Sequence, residues 1–507
     1  MIRRTGSRGT APLGLLLPAL LAALAALAPL YYLGTIALDR GWSTLWSELW
    51  QRRTLDLVAR SMLLTVACTV ASIAIAVPAA WLVSRTDLRG RSVWRVLLAL
   101  PLAVPSYLSA FAWISWRPGL AGFWGAFIVL TSVSYPYAYL PLVAAFGRLD
   151  PAHDELAQLH GRARVWSLMW LSARQCQSAV AAGGLLVALY VLSDFGAVAT
   201  MRYDTFTWVI YGAYRAGFNP SRAAILASLL VVIALVLIAA ESRVRGRAVE
   251  TSASAPRRGT GRTVRLGFRG LIAAVALAMV GAVTLGIPLW RVIGWSLRSG
   301  DVGVADVAGA LWGSLRYSLF ASVATVLLAL PVALLVARSR SRSSRLIEGS
   351  VYVTHALPGI VVAISMVFLG VRLMRSVYLE APLLVLAYVV LFLPLAVGSL
   401  RAAAEQVPRG LEDVARSLGS GPMTVIRRVN IPLLVPGVAA ATALVALAAM
   451  KELPVTMLLR PTGSETLATR LWTSTTVSDY SNAAPYALAL VVFVSIPTAL
   501  VSARARS

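Results

Sequence analysis

Lysine is almost missing from the 507-residue chain: Lys451 is the only one among 46 basic residues. A Walker A loop needs a lysine directly after its glycine-rich turn to hold nucleotide phosphates. Lys451 sits in AAMKELP with no such turn before it, so no ATP-hydrolysing site of that type is expected in this chain. Cysteine is equally scarce. Cys68 and Cys176 lie within and at the start of apolar runs and read as buried thiols rather than a disulfide or a metal pair. The three histidines, His153, His160 and His355, have no metal-ligand spacing. No nucleophile–base constellation stands out either, which argues against a membrane enzyme. Acid is outnumbered, 21 residues against 46 basic ones, for a formal charge of +25. Nucleic acid is one explanation of that charge; arginine-rich cytoplasmic loops of a membrane protein are a simpler one, and no nucleic-acid partner is expected.

What the chain has in excess is apolar sequence. It is 58% hydrophobic and only 13% charged, which a soluble domain cannot bury. Apolar runs of membrane-spanning length recur along it. Twelve spans are predicted, near 12–38, 57–84, 94–116, 121–146, 176–198, 221–240, 270–296, 313–337, 349–371, 378–400, 434–450 and 483–503. The first follows RRTGSR as a signal peptide would, but is long for a signal h-region and is kept as a span. The arginine-rich loops at 85–95, 147–175, 241–269, 338–345 and 401–428, with both termini, hold 30 of the 46 basic residues. By the positive-inside rule these loops and both termini are cytoplasmic. The segments near 199–220 and 451–482 then face outside.

The chain is a tandem duplication. SMLLTVACTVASIAIAVP (61–78) aligns without a gap with SLRYSLFASVATVLLALP (314–331), and both end in proline, Pro78 and Pro331. ALP recurs at 99–101 and 356–358, and LVAL at 186–189 and 444–447. The order is the same in both copies, so the expected fold is an all-α polytopic membrane protein of two tandem six-helix repeats with pseudo-two-fold symmetry. Residues 1–240 and 270–507 form the two transmembrane halves, and the Gly-, Ser- and Arg-rich 241–269 a flexible cytoplasmic linker.

The strongest repeated feature is cytoplasmic. ELAQLHGRARVWSLMWLSAR begins at Glu155 and DVARSLGSGPMTVIRRVNIP at Asp413. An acid, an alanine two residues on and a glycine six residues on recur at a spacing of 258: Glu155, Ala157, Gly161 and Asp413, Ala415, Gly419. The pattern describes a short helix, a glycine turn and a second amphipathic helix. Alanine admits a close partner surface, glycine the turn, and the acid suits the first helical turn.

These two copies resemble the EAA coupling motif of ABC-importer permeases, whose helix inserts into a groove on the ATPase subunit. The resemblance implies that Glu155, Ala157 and Gly161, and Asp413, Ala415 and Gly419, contact two ATPase copies. The family's proline thirteen residues past the glycine is present as Pro432 in the second half but replaced by Arg174 in the first, so the first loop is expected to leave at a different angle. The resemblance runs over nearly the whole chain and is closest to fused two-half ferric-iron permeases. ALYVLSDFGAVATMRYDTFTW (188–208), HALPGIVVAIS (355–365) and KELPVTMLLRPTGSETLATRLW (451–472) carry it. It implies the type I ABC importer fold and a bacterial inner-membrane location. It also implies one permease chain per complex, an extracytoplasmic binding protein, and ATP and Mg held only by the partner ATPases, with no cofactor in this chain. Thiamine, polyamine and sulfate permeases share this architecture. A secondary transporter driven by an ion gradient also has two six-span halves, but does not require paired docking loops.

The same spacing of 258 sets Asp194 against Glu452, and each acid ends the fifth span of its half. Carboxylates near the membrane usually face a cavity or a partner, and two around one path suit a hard cation such as ferric iron. Tyr190 and Tyr203 offer phenolic oxygen to the same path. The alternatives are structural: Asp194 capping a short helix or pairing with Arg202, and Glu452 pairing with Lys451 or Arg460. Asp204 reads as a turn residue. Arg202 and Arg460, at the same spacing, read as loop stabilisers.

Overall fold

The structure, a computed structural model, describes residues 13–39, 41–149, 165–215, 217, 219–249, 264–298, 302–339 and 341–504. The described residues form helices and no strand, with one isolated bridge between Thr86 and Val264. The helices of the first half are α1 (Leu13–Asp39), α2 (Gly41–Leu49), α3 (Arg52–Arg85), α4 (Arg91–Leu97), α5 (Ser106–Trp116), α6 (Phe123–Phe146), α7 (Val165–Gln175), α8 (Gln177–Ser193), α9 (Gly196–Thr200), α10 (Phe206–Arg215) and α11 (Pro220–Val249). Those of the second are α12 (Arg269–Gly281), α13 (Ile287–Ser296), α14 (Val304–Arg338), α15 (Arg342–Val353), α16 (Gly359–Leu373), α17 (Ala381–Gln406), α18 (Arg409–Ser417), α19 (Pro422–Val425), α20 (Ile431–Met450), α21 (Pro454–Leu459), α22 (Leu467–Thr476) and α23 (Tyr480–Arg504). The chain is an all-α polytopic membrane protein.

Among the described residues eight helices are long and apolar enough to cross a bilayer, and eleven if each of three bent pairs counts as one span. Tyr480–Ser495 is a shorter apolar helix within the twelfth expected span. Two expected spans, 94–116 and 349–371, are broken inside, and a third bend stands at the start of the expected span 176–198. The bends are 89° between Arg91–Ala103 and Ser106–Trp116, 80° between Trp166–Gln175 and Gln177–Ser193, and 108° between Arg342–Ala356 and Gly359–Leu373. Proline causes the first and third. The residue before a proline is pushed out of the α region, and Val104 (φ −87°, ψ 117°) and Leu357 (φ −88°, ψ 115°) are extended ahead of Pro105 and Pro358. The two ALP triplets are therefore not equivalent. Pro358 matches Pro105, at the spacing of 253 residues that also relates Pro331 to Pro78.

Packing divides the chain differently from its sequence halves. One compact unit joins Met1–Trp42 to Val304–Thr469; the other joins Ser43–Gly303 to Arg470–Ser507. In the first unit α1 offers a face of small residues, Ala19, Ala22, Ala23 and Ala26, which are buried in a cluster with Val326, Ala329 and Ala333 of α14. Small side chains let membrane helices approach closely where no hydrophobic force draws them together. In the second unit Trp81, Tyr135, Tyr139 and Phe146 fill the core between α3, α6 and α8, and Leu277 of α12 joins them. The opening helix of each half thus packs within the unit that holds most of the other half. Outward faces of the long helices carry exposed Val66, Val70, Leu319, Phe320 and Leu327, as lipid contact requires.

The expected linker, 241–269, is bordered by described structure on both sides. Helix α11 continues to Val249. At the other end Val264 N donates to Arg85 O at 2.9 Å, and Leu266 N to Asp87 Oδ1 at 2.9 Å. Cys68 and Cys176 are buried free thiols.

Candidate functional site

Helix α18 and the turn after it form the second copy of the repeated motif. Its end is a Schellman turn, in which Leu418 N donates to Val414 O at 3.1 Å and Ser420 N to Ala415 O at 3.0 Å. Gly419 closes the turn at φ +83°, a conformation that costs little only without a Cβ. Asp413, Leu411, Val414 and Leu418 are exposed, and Ala415 is half-buried. Spaced at three and four residues, Leu411, Val414 and Leu418 make one apolar stripe, and the exposed Asp413 lies on a different face of the helix. Glu155, Ala157 and Gly161 lie outside the described residues.

The neighbouring acid, Glu412, behaves in the opposite way. It is 4% exposed, and Arg338 Nε lies 2.7 Å from its Oε1. The approach is a charge contact rather than an aligned hydrogen bond. Arg338 Nη2 donates to Val407 O at 3.2 Å. One guanidinium at the end of α14 therefore touches both the end of α17 and the first turn of α18. Sequence reasoning missed this residue, although the signal was there. Arg338 and Arg85 each stand seven residues past the paired prolines Pro331 and Pro78.

Beyond the motif the described residues of the two halves differ. In the second half the chain passes through a π-helical turn, Ile426–Asn430, and continues unbent into α20. In the first half α7 breaks from α8 by 80° at Cys176.

Both paired acids cap short helices. Asp194 follows α8 and is 8% exposed; its Oδ1 accepts from Ala197 N at 2.8 Å, in the first turn of α9. Thr207 Oγ1 donates to Asp194 O at 2.5 Å, tying α10 to the same point. Glu452 follows α20, and its Oε2 accepts from Val455 N at 2.9 Å and Thr456 N at 3.3 Å, opening α21. Glu452 Oε1 would lie 2.5 Å from a Cβ at Gly359, so the missing side chain lets the carboxylate reach the first residue of α16. In the first half the close approach is made by α9 itself: a Cβ at Gly196 would meet Tyr107 Cβ of α5 at 2.6 Å. A carboxylate at a helix N-terminus satisfies orphan amides and complements the dipole. Asp194 and Glu452 belong to different compact units.

The tyrosines separate. The ring of Tyr190 lies 4.9 Å from that of Tyr137. The hydroxyl of Tyr203 donates to Arg60 O at 3.4 Å, and Asp204 pairs with Arg60 at 3.5 Å. Arg460 pairs with Glu465 and donates to Ser464 O at 3.0 Å. Arg202 is not its counterpart. Arg202 is left-handed at φ 52°, whereas Arg460 is extended at φ −60°. The left-handed residue in the second half is Gly463, because the spacing grows from 258 to 261 residues before α22. Among the described residues no group of three or more His, Cys, Asp or Glu gathers to hold a metal.

These features can be set beside known proteins. Residues 329–506 match the family described as binding-protein-dependent transport system inner membrane component. The Fe(3+)-transport system permease protein FbpB 2 of Haemophilus influenzae is 34% identical over 459 residues, covering 89% of this chain and 90% of the relative. The molybdenum transport system permease protein ModB of Mycobacterium tuberculosis is 30% identical over 243 residues, covering 45% of this chain and 92% of the relative. The thiamine transport system permease protein ThiP of Brucella abortus is 25% identical over 405 residues, covering 72% of each chain. With its span pattern and a relative matched nearly end to end, the chain belongs to the family of binding-protein-dependent transport system inner membrane components, the permeases of ABC importers.

Proposed function

We propose that this permease moves ferric iron inward, taking it from an extracytoplasmic binding protein and drawing on two copies of a partner ATPase. The observation that carries the coupling reading is α18, which turns Leu411, Val414, Leu418 and Asp413 outward on a helix closed by Gly419. An exposed apolar stripe is the form a helix takes when it docks into a groove. The first copy, around Glu155, Ala157 and Gly161, serves a second ATPase. One chain supplies both halves, so one permease chain per complex suffices. Both termini and the coupling segments are cytoplasmic, as the arginine distribution requires. ATP and Mg bind the ATPases, and the chain itself hydrolyses nothing.

Iron is favoured over the sister substrates because the ferric-iron permease relative matches 89% of this chain, against 45% for the molybdenum and 72% for the thiamine permease. Closure of the ATPases would move both coupling helices and open the path outward; hydrolysis would reset it. Asp194 and Glu452 set the outer ends of the fifth spans, holding α9 and α21 at defined angles. Direct contact of these carboxylates with the ion is the second role their chemistry allows. The test is a pull-down followed by reconstitution. An ATPase co-purifies, and vesicles holding permease, ATPase and binding protein take up ferric iron but not molybdate or thiamine on adding ATP. Uptake by the permease alone, driven by an ion gradient, sinks the importer reading; uptake of thiamine or molybdate instead sinks the choice of iron.

A further inference from the structure

The longest helix of each half joins two places that have to move together. Helix α14 ends in Arg338, which holds Glu412 of α18 and Val407 O. Twenty-four residues earlier, Ser314 Oγ accepts from Leu467 N at 2.8 Å, at the start of α22. Beside it Tyr317 donates to Ser464 Oγ at 2.9 Å, and Gly313 lets Glu465 O approach where a Cβ would stand. At 1.5 Å per residue the two attachments are roughly 36 Å apart, a little more than the hydrocarbon thickness of a bilayer.

Helix α3 repeats the plan in the other compact unit. Its last residue, Arg85, donates to Leu149 O at 3.2 Å, where the described chain stops ahead of the first coupling segment. Its Ser61 accepts from Phe206 N at 3.3 Å, at the start of α10. Ser61 and Ser314, and Arg85 and Arg338, are each 253 residues apart; Leu149 and Val407 are 258 apart. Both serines are buried, 2% and 3% exposed. Asp154, at Glu412's place in the register, lies outside the described residues.

We propose that α14, with α3 as its counterpart, is a transmission rod: a terminal arginine grips the coupling side of the membrane and a buried serine grips the loop that leads into α22 or α10. This deepens the reading of α18 as the ATPase-coupling helix and rests on it. Stability alone does not explain the grip. A nearly buried ion pair recovers little beyond its desolvation cost. The Arg338 fork instead reaches two elements through separate nitrogens, which the single ammonium of lysine does not reproduce. A continuous helix crossing the bilayer passes an axial shift from one attachment to the other, which satisfies the need for a contiguous element between distant sites.

Two measurements test the rod. The first uses the full complex in vesicles and reads substrate moved per ATP for Arg338→Lys, Ser314→Ala and the double variant. Each single variant lowers that ratio by about two- to thirtyfold. The double variant is no worse than the poorer single one, because the two attachments act in series; effects that multiply, or singles with an unchanged ratio, overturn the rod. The second uses the purified chain alone and reads amide exchange at Leu467. Glu412→Gln, which touches only the far end of α14, speeds that exchange, while an exposed substitution such as Ser417→Ala does not. Unchanged exchange at Leu467 overturns the rod whatever the ATPase does. If the wild-type chain captures no ATPase, the coupling reading fails, and the exchange experiment still decides whether the two ends of α14 communicate.

Discussion

Replacing Gly419 separates backbone strain from steric contact. The residue sits at φ +83°, and a Cβ built there meets no atom within 4 Å. Gly419→Ala therefore creates no clash, and its whole cost is the left-handed backbone, about 1–2 kcal/mol for an L-residue. That corresponds to roughly a five- to thirtyfold loss in the population of the native turn. The turn closes α18 through Leu418 N and Ser420 N, so its loss frees the helix end that presents Leu418. Asparagine enters the left-handed region more readily than alanine, so Gly419→Asn recovers much of what Gly419→Ala loses. The assay is ATP-driven uptake in vesicles at matched protein, with yield in detergent as the control for folding. The expected order is glycine, then asparagine, then alanine, with similar yields. If alanine equals glycine, the turn does not limit coupling; if asparagine is as poor as alanine, strain at φ is not the cause.

Three further outcomes follow from the geometry. Asp194→Ala and Glu452→Ala each remove a helix cap and cost about 0.5–2 kcal/mol, read as a lower thermal midpoint in detergent. Equal midpoints for wild type and both variants refute the capping role. Gly359→Ala drives a methyl group to 2.5 Å from Glu452 Oε1 and costs about 1–3 kcal/mol by overpacking; pairing it with Glu452→Ala, which removes the obstructing oxygen, is less damaging than the sum, and strict additivity refutes the contact. Leu411→Asp or Val414→Asp on the exposed stripe abolishes ATPase capture while leaving extraction yield within the ±0.5 kcal/mol expected of a surface change, and retained capture shows that the stripe is not the docking face.

The parts of the fold that follow from hydropathy were legible in the sequence. Each expected span has a helix or a bent pair, because an apolar run of that length has few other places to go. The elbows were not legible, since a proline inside an apolar run marks a straight-through residue at Pro78 and a sharp break at Pro105. What differs is the path of the neighbouring backbone, which tertiary packing decides. The repeat register located the paired acids, yet it slipped at Arg202 and Arg460, where three extra residues before α22 moved the left-handed position to Gly463. The burial of Glu412 beside an exposed Asp413 was invisible for a different reason. Two adjacent acids look alike in sequence, and only the 100° turn between them on a helix sends one to Arg338 and the other to solvent.

The placement of α1 has a consequence for biosynthesis. Its alanine face is made well before the α14 residues that bury it, which begin at Val326, 300 residues after Ala26. At the usual elongation rate of about 5–20 residues per second, α1 waits roughly 15–60 s for its partner. During that interval a small-residue face stands open in the bilayer, available to any neighbouring helix with a matching groove. A chain truncated before Val304 keeps that face open indefinitely, so prematurely terminated products are prone to mispair with other nascent membrane proteins. The order in which the ribosome delivers the helices thus leaves the first one dependent on the second half of the message.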